Sequence, residues 1–328
     1  MKKIAVIGSG SWGSALAIYL GNKGENVEIW SFAEDEIDYI NNKHTCKFLS
    51  GSVIPNNVIA KNNYEEVIKD AELILHVTPS KFVRNTIKEY KKYVKENQIF
   101  LMCSKGLETG SLKTLDEVIE EELPGIKYGI LSGPSHAEEV SIGIPTALVV
   151  ASKYEDVKNK TMEVFKSKTL RLYSSSDVKG VELGGALKNI IAFCAGISVG
   201  LELGDNTFAA LATRGLVEIV RLGVAMGAKS ETFYGLSGLG DLIVTCSSEH
   251  SRNRRAGKMI GQGHTIEEAR KEIGMVIESI DNIDVAYQLS KKYNIEMPIV
   301  DSVYNVLYNN LNPRDAVDVL MTRDLKEE

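Results

Sequence analysis

The stretch Ile4-Ala-Val-Ile7-Gly8-Ser-Gly10-Ser-Trp-Gly13-Ser-Ala-Leu16-Ala-Ile-Tyr19-Leu20, followed by Val27-Glu-Ile-Trp30, decides the fold. Ile4–Ile7 is a near-continuous apolar run of strand length, and Leu16, Tyr19 and Leu20 repeat at helical spacing. Between them the glycines divide the labour. Gly8 makes the tight turn, Gly10 lets backbone approach a pyrophosphate, and Gly13 lets the helix pack against the strand. The N–H groups that open such a helix attract phosphate. A glycine-rich turn alone is common, but strand, turn, helix and second strand stand here in the order of a dinucleotide site.

The rest of the chain is read from that anchor. At 328 residues it exceeds one ordinary core, so two domains are expected. The 44% hydrophobic and 25% charged residues describe a soluble globular protein, and a net charge of −6 argues against nucleic acid or an anionic membrane as partner. Phosphate binding must then come from local cations. Cys46, Cys103, Cys194 and Cys246 have no C-x-x-C spacing, which fits a reduced, cytoplasmic compartment. A strand beginning within four residues of Met1 leaves no room for a signal peptide, and Ile190–Val199 is too short to span a bilayer.

Up to about residue 175, short apolar runs alternate with helical segments, the pattern of an α/β, parallel, doubly wound sheet. Strands are expected at Ile4–Ile7, Val27–Trp30, Leu73–Val77, Ile99–Met102, Tyr128–Leu131 and Ala147–Val150. Ligands in such sheets bind beyond the carboxyl ends of the strands, where Gly8, Ser31, Thr78-Pro79-Ser80, Ser104-Lys105-Gly106 and Ser132-Gly133-Pro134-Ser135 collect. Beyond Ser176 the pattern turns helical: Val181–Val199, Asn206–Met226, Arg252–Ile260, Ile266–Ile273, Ser279–Lys291 and Pro298–Asn309. Asn206 and the Thr265…Glu268 capping-box spacing mark helix starts. The expected domains are 1–178, the dinucleotide-binding sheet, and 179–328, a helical substrate domain.

Lys188 is the first chemical candidate. Gly184, Ala192 and Ala195 share its helix face and are small, so the cation should have open space in front of it, while Leu183, Leu187, Ile190, Ile191 and Cys194 form an apolar opposite face. An ammonium among apolar groups and near other cations can act as a base; a solvated surface lysine is the competing reading. Lys105 follows a strand end and could reach substrate phosphate or the reacting oxygen, with a loop lysine in water as the competing reading. Ser251-Arg252-Asn253-Arg254-Arg255 opens a helix and offers a preformed phosphate site, with two of its three arginines expected on a solvated face. Asp241, in Gly238-Leu-Gly-Asp241, could orient a substrate hydroxyl or the lysine, or merely form a turn. Arg214 and Glu218, four apart, look like a structural ion pair. His76, His136 and His250 have no metal-ligand spacing, so no metal is expected.

With these residues in place, the chain resembles the bacterial NAD(P)-dependent glycerol-3-phosphate dehydrogenase family along its whole length. The carriers are Gly8-Ser-Gly-Ser-Trp-Gly13, Ser104-Lys105-Gly106, Ser132-Gly-Pro-Ser-His-Ala-Glu138, Leu187-Lys188-Asn189, Ala212-Thr-Arg-Gly215, Gly238-Leu-Gly-Asp241-Leu and Ser251-Arg252-Asn253. The resemblance implies an N-terminal Rossmann domain and an all-helical C-terminal domain of the 6-phosphogluconate-dehydrogenase type. It implies hydride exchange between a nicotinamide, NAD or NADP, and carbon 2 of sn-glycerol 3-phosphate, giving dihydroxyacetone phosphate. The physiological direction it implies is reduction, for glycerophospholipid synthesis.

Position by position, the resemblance gives Lys188 the role of proton acceptor and Lys105, Gly133, Ser135, Asp241, Ser251, Arg252 and Asn253 the substrate. It gives Ser11, Trp12, Phe32, Lys105, Ala137, Arg252, Val276 and Glu278 the cofactor, beside Gly8, Gly10 and Gly13. Ser31 and Phe32 stand where the family commonly has glycine and then a basic or histidine residue. Neither an acid nor an arginine stands at that point to choose NAD or NADP, which leaves Lys47 as a spare cation and Glu34 as a hydroxyl acceptor. A related 3-hydroxyacid or 6-phosphogluconate-type dehydrogenase and a non-catalytic dinucleotide sensor are the alternatives. No membrane span and no nucleic-acid partner are expected, and a homodimer is left open.

Overall fold

The computed structural model describes residues 3–324. The chain divides into two compact units, one of residues 1–108 and 113–182, the other of 109–112 and 183–328.

The first unit is built on an eight-stranded sheet of β1 (Lys3–Ile7), β2 (Asn26–Trp30), β3 (Val58–Lys61), β4 (Ala71–His76), β5 (Ile99–Met102), β6 (Lys127–Ser132), β7 (Thr146–Ala151) and β8 (Leu170–Ser175), in the order β3-β2-β1-β4-β5-β6-β7-β8. The helices of this unit are α1 (Ser11–Asn22), α2 (Glu34–Asn41), α3 (Tyr64–Ile68), α4 (Val83–Tyr90), α5 (Leu115–Glu122), α6 (Ala137–Ser141) and α7 (Glu155–Phe165). Two separate apolar clusters, one holding Leu16, Leu20, Ile29 and Phe165 and the other Ile74, Ile87, Tyr90 and Phe100, mark the two covered faces of the sheet.

The six strands expected from the sequence are all present, but the sheet is not wholly parallel. β7 runs antiparallel to β6 and pairs parallel with β8. β6 and β7 are joined by residues 133–145, which hold only the five-residue α6 where a parallel crossover usually carries a full helix, and the chain doubles back. The unforeseen strands, β3 and β8, are the two edges. Each is solvated on one side, at Ile59 and Tyr173; β3 is only four residues long, and β8 is broken by Arg171 and ends in two serines.

His76, at the end of β4, is fully buried, with Nδ1 2.7 Å from the Tyr90 hydroxyl and Nε2 2.7 Å from that of Thr78. Burial pushes its pKa down to about 3. Between the ordinary histidine value of about 6.5 and that value the unfolded chain binds a proton that the folded chain refuses. Stability is therefore whole above that window and falls, by up to about 1.4 kcal/mol per pH unit, as pH drops through it. His76→Gln is expected to flatten this acid limb, read as the difference in urea midpoints between the two proteins from about pH 7 to 4.5. Parallel midpoints would remove His76 as its source.

The second unit is helical: α9 (Gly204–Ala225), α10 (Asp241–Ser247), α11 (Arg252–Gly261), α12 (Ile266–Ile273), α13 (Glu278–Lys292), α14 (Pro298–Tyr308) and α15 (Pro313–Met321), preceded by α8 (Val178–Gly200), whose first turn and a half belong to the first unit. In that first part Glu182 accepts the backbone N–H groups of Leu115 and Asp116 at the start of α5. α8 is long and apolar enough to cross a membrane, but 89% of its apolar window is buried inside the protein, which makes it a core helix.

Two helix readings change. α9 begins at Gly204, so Asn206 lies inside it rather than capping it. Glu218 does not pair with Arg214; it accepts from the backbone N–H groups of Ile299 (2.7 Å) and Val300 (3.2 Å) and so caps α14. The capping box of Thr265 and Glu268 forms at the head of α12 as its spacing predicts.

Candidate active site

In the first unit the glycine turn is joined to its neighbours by backbone. Gly8 N–H donates to the Trp30 carbonyl (3.1 Å) and Val77 N–H to that of Ile7 (2.9 Å), which lays the turn between the ends of β2 and β4. Gly8 has a φ of +120°, and a Cβ on Gly13 would stand 2.0 Å from the Gly8 carbonyl oxygen. A Cβ on Gly10 would meet nothing within 4 Å. No side chain caps α1, and no acidic residue stands in its first turn. An uncapped helix start behind an open backbone fits a pyrophosphate. The Trp12 ring packs against the sheet core, which leaves its backbone N–H for a ligand at this turn. Phe32 is 74% exposed just past β2, an apolar face available to an adenine ring.

The same edge carries the substrate candidates of this unit. Cys103 N–H donates to the His76 carbonyl (2.9 Å), and Ser104 Oγ donates to that of Thr78 (2.5 Å). This sets Lys105, whose Nζ donates to the Gly133 carbonyl (2.8 Å) and to Ser135 Oγ (2.9 Å). Lys105, Gly133 and Ser135 thus form one cluster, and Ala137 opens α6, which packs on α1.

In the second unit Lys188 is 6% exposed and does not face open space. A Cβ on Gly184 would lie 2.7 Å from the Ser237 carbonyl oxygen, so the small residues around Lys188 admit the Leu236–Gly240 segment and α10 rather than solvent. Nζ of Lys188 donates to Asp241 Oδ1 and to Thr245 Oγ1 (2.7 Å), and Thr245 Oγ1 donates in turn to the Asp241 carbonyl (2.6 Å). Asp241 is 1% exposed, and of the roles the sequence leaves open to it, that of partner to the lysine is the one the geometry forms.

Next to Lys188, Asn189 Oδ1 accepts from Asn253 Nδ2 (3.0 Å), and Asn253 Oδ1 accepts from the Ser279 N–H (3.0 Å). Ser251 caps α11 by accepting from Arg254 N–H (3.2 Å), and Arg252 Nη1 donates to the Val276 carbonyl (3.1 Å). Arg254 pairs with Glu249 (2.5 Å) and Arg255 is exposed, which leaves Arg252 as the arginine of this run beside the asparagine pair. Val276 and Glu278 lie at the head of α13. α11 is pressed onto α8 backbone to backbone: a Cβ on Gly196 would meet the Arg254 carbonyl at 2.0 Å and one on Gly257 the Phe193 carbonyl at 1.9 Å.

A sequence profile of the NAD-dependent glycerol-3-phosphate dehydrogenase N-terminus matches residues 3–158, and one of its C-terminus matches 177–318. The chain belongs to this family. It is 48% identical to the glycerol-3-phosphate dehydrogenase [NAD(P)+] of Fusobacterium nucleatum over 331 residues and 47% identical to that of Clostridium perfringens over 329, in both cases across 100% of this chain and 99% of the relative. Among solved structures, the glycerol-3-phosphate dehydrogenase of Coxiella burnetii superposes with a TM-score of 0.95 at 38% identity, covering 98% of this chain and 99% of that one. The chain is accordingly an oxidoreductase of the NAD(P)-dependent kind.

For a glycerol-3-phosphate dehydrogenase the residues that sequence reasoning passed over matter as much as those it found. Thr245 was hidden because the short α10 was not foreseen; its signal is the spacing Asp241…Thr245, one helical turn. Asn189 stood in a quoted motif without a role. The close approach of α8 and α11 is written as Gly196-x-x-x-Gly200 and Gly257-x-x-x-Gly261. Just past β2, Lys47 is held by Asp35 at 2.6 Å and Glu34 is exposed, while Glu36 turns in toward the glycine turn. Among the described residues no group of three His, Cys, Asp or Glu side chains is placed to hold a metal.

Proposed function

We propose that the chain interconverts sn-glycerol 3-phosphate and dihydroxyacetone phosphate, working in the cell as a reductase that supplies glycerophospholipid synthesis from the cytoplasm. The observation that carries this reading is the buried Lys188 ammonium held by Asp241 and Thr245 on the helix that also presents Asn189 to Asn253. A bound nicotinamide would supply the hydride chemistry; the chain supplies the proton and the position. In oxidation an amine at Lys188 takes the proton of the carbon 2 hydroxyl, and in reduction the ammonium returns it to the alkoxide oxygen. Asp241 and Thr245 fix the direction in which Nζ points. Arg252 and Asn253, at the amino end of α11, suit a phosphate dianion, which anchors the three-carbon skeleton and sets the distance of its reacting carbon. Buried, unpaired cysteines at positions 46, 103, 194 and 246 support a reducing compartment.

The test is loss of NADH or NADPH absorbance with dihydroxyacetone phosphate against a panel of β-keto acids. Turnover confined to the keto acids, or none, would overturn the assignment. Arg252→Ala is expected to raise KM for dihydroxyacetone phosphate on the order of 10- to 100-fold, the loss of one or two charge-assisted hydrogen bonds, with a smaller fall in kcat. A KM within about twofold of the parent, below even one such bond, would move the phosphate elsewhere.

A further inference from the structure

We propose that Glu36 is the residue that reads the adenosine ribose and that it makes this chain prefer NAD(H) over NADP(H). The inference rests on the dinucleotide part of the preceding section and goes beyond it by naming which form the site takes.

In sheets of this type the ribose 2′-hydroxyl meets an acid near the end of the second strand, and a 2′-phosphate meets an arginine there. Here the end of β2 carries Ser31, 1% exposed, where no charge stands. The charge comes instead from the first turn of α2. Glu36, 9% exposed, reaches back so that Oε2 accepts from the hydroxyl of Ser31 (2.7 Å) and from that of Ser9 within the glycine turn. One carboxylate thus bridges the strand end and the phosphate-binding turn, the two features between which a ribose must lie. The Ala33 N–H donates to Ser31 Oγ (3.2 Å), so the serine is held from both sides and in turn holds the acid. The other oxygen of Glu36, Oε1, accepts from no group among the described residues, which leaves a carboxylate oxygen for the 2′- and 3′-hydroxyl protons.

Among the described residues, the same neighbourhood offers no uncommitted cation for a 2′-phosphate at Lys43, Lys47 or Lys61. The chain has no arginine before Arg84, and that guanidinium is clamped by Glu108, Glu121 and Glu122. Lys43, Lys47 and Lys61 are each committed to carboxylates: Asp38 at 3.0 Å, Asp35 at 2.6 Å, and Glu28 at 3.2 Å. The first turn of α2 is Glu34, Asp35 and Glu36. A dianion placed beside three carboxylates meets repulsion, whereas a diol meets an acceptor.

The test is equilibrium binding without substrate, by titration calorimetry of the full chain with NADH, NADPH, ADP-ribose and 2′-phospho-ADP-ribose. NADH and ADP-ribose are expected to bind on the order of 10-fold or more tighter than their phosphorylated counterparts, the worth of a hydrogen bond to a charged group. Glu36→Gln, which keeps the shape and can still accept from both serines, is expected to shrink that ratio roughly 10-fold. NADPH bound as tightly as NADH by the parent chain, or an unchanged ratio in the variant, would overturn the proposal. The outcomes separate the two readings. Dihydroxyacetone phosphate turnover with an NADPH preference sinks this one alone, and an NADH preference without that turnover sinks only the substrate assignment.

Discussion

Lys188→Met is expected to lower kcat by about 10³-fold, within the range lost when a positioned general acid–base group is removed, while NADH affinity stays within about twofold. Methionine keeps the length and apolar stem of the lysine but carries no proton. The effect should fall on kcat and on kcat/KM together, because proton transfer matters only as the hydride moves. A second consequence follows from burial. Asp241, 1% exposed, would lose its cation, and breaking a buried pair from one side costs about 3–5 kcal/mol. The variant should therefore also unfold at lower urea. Asp241→Asn separates the two effects: it spares the amine but loosens its aim, so its kcat should fall far less than that of the methionine variant. If Lys188→Met turns over within tenfold of the parent, Lys188 is a structural cation only.

The contrast between Lys188 and the glycine turn shows where a sequence can be read by itself. The turn was legible because its parts are local: an apolar run, three glycines and a helical repeat within twenty residues, each with one physical job. The central strands were legible for the same reason, since a strand covered on both faces is a continuous apolar run. β3 and β8 are edges, and the direction of β7 is set by the path of the chain after β6 and not by the strand's own residues. Lys188 was found, and Asp241 was offered to orient it, but the packing around the pair was not foreseen. The small residues about it signal a close neighbour or an open space equally well, and only the fold decides that the Leu236–Gly240 segment fills the place. Glu218 likewise sits at the right spacing for Arg214, yet the amino end of α14, eighty residues on, supplies better partners. Glu36, not Glu34, turns inward, because which face of a short helix does so depends on where the strand before it ends.

Paired substitutions at Gly13 and Gly10 are expected to separate stability from dinucleotide binding within one turn. A methyl on Gly13 would sit 2.0 Å from the Gly8 carbonyl oxygen and 3.1 Å from its carbon, both backbone atoms that cannot rotate away. α1 must then lift from the turn. Gly13→Ala should cost about 1–3 kcal/mol or more, as overpacking does, and should weaken NADH on the order of 100-fold as the helix-opening N–H groups lose the phosphates. Gly10 is different. Its φ of −62° suits alanine, and nothing of the protein lies within 4 Å of the added methyl. Gly10→Ala should fold as well as the parent or better by a few tenths of a kcal/mol to about 1, since it narrows the unfolded ensemble. The methyl would nevertheless stand where the pyrophosphate must approach, so NADH should still weaken on the order of 10-fold or more. Urea midpoints and calorimetric dissociation constants on the two variants decide it. If Gly10→Ala binds NADH as the parent does, the dinucleotide lies elsewhere, and the turn serves only to seat α1 on the sheet.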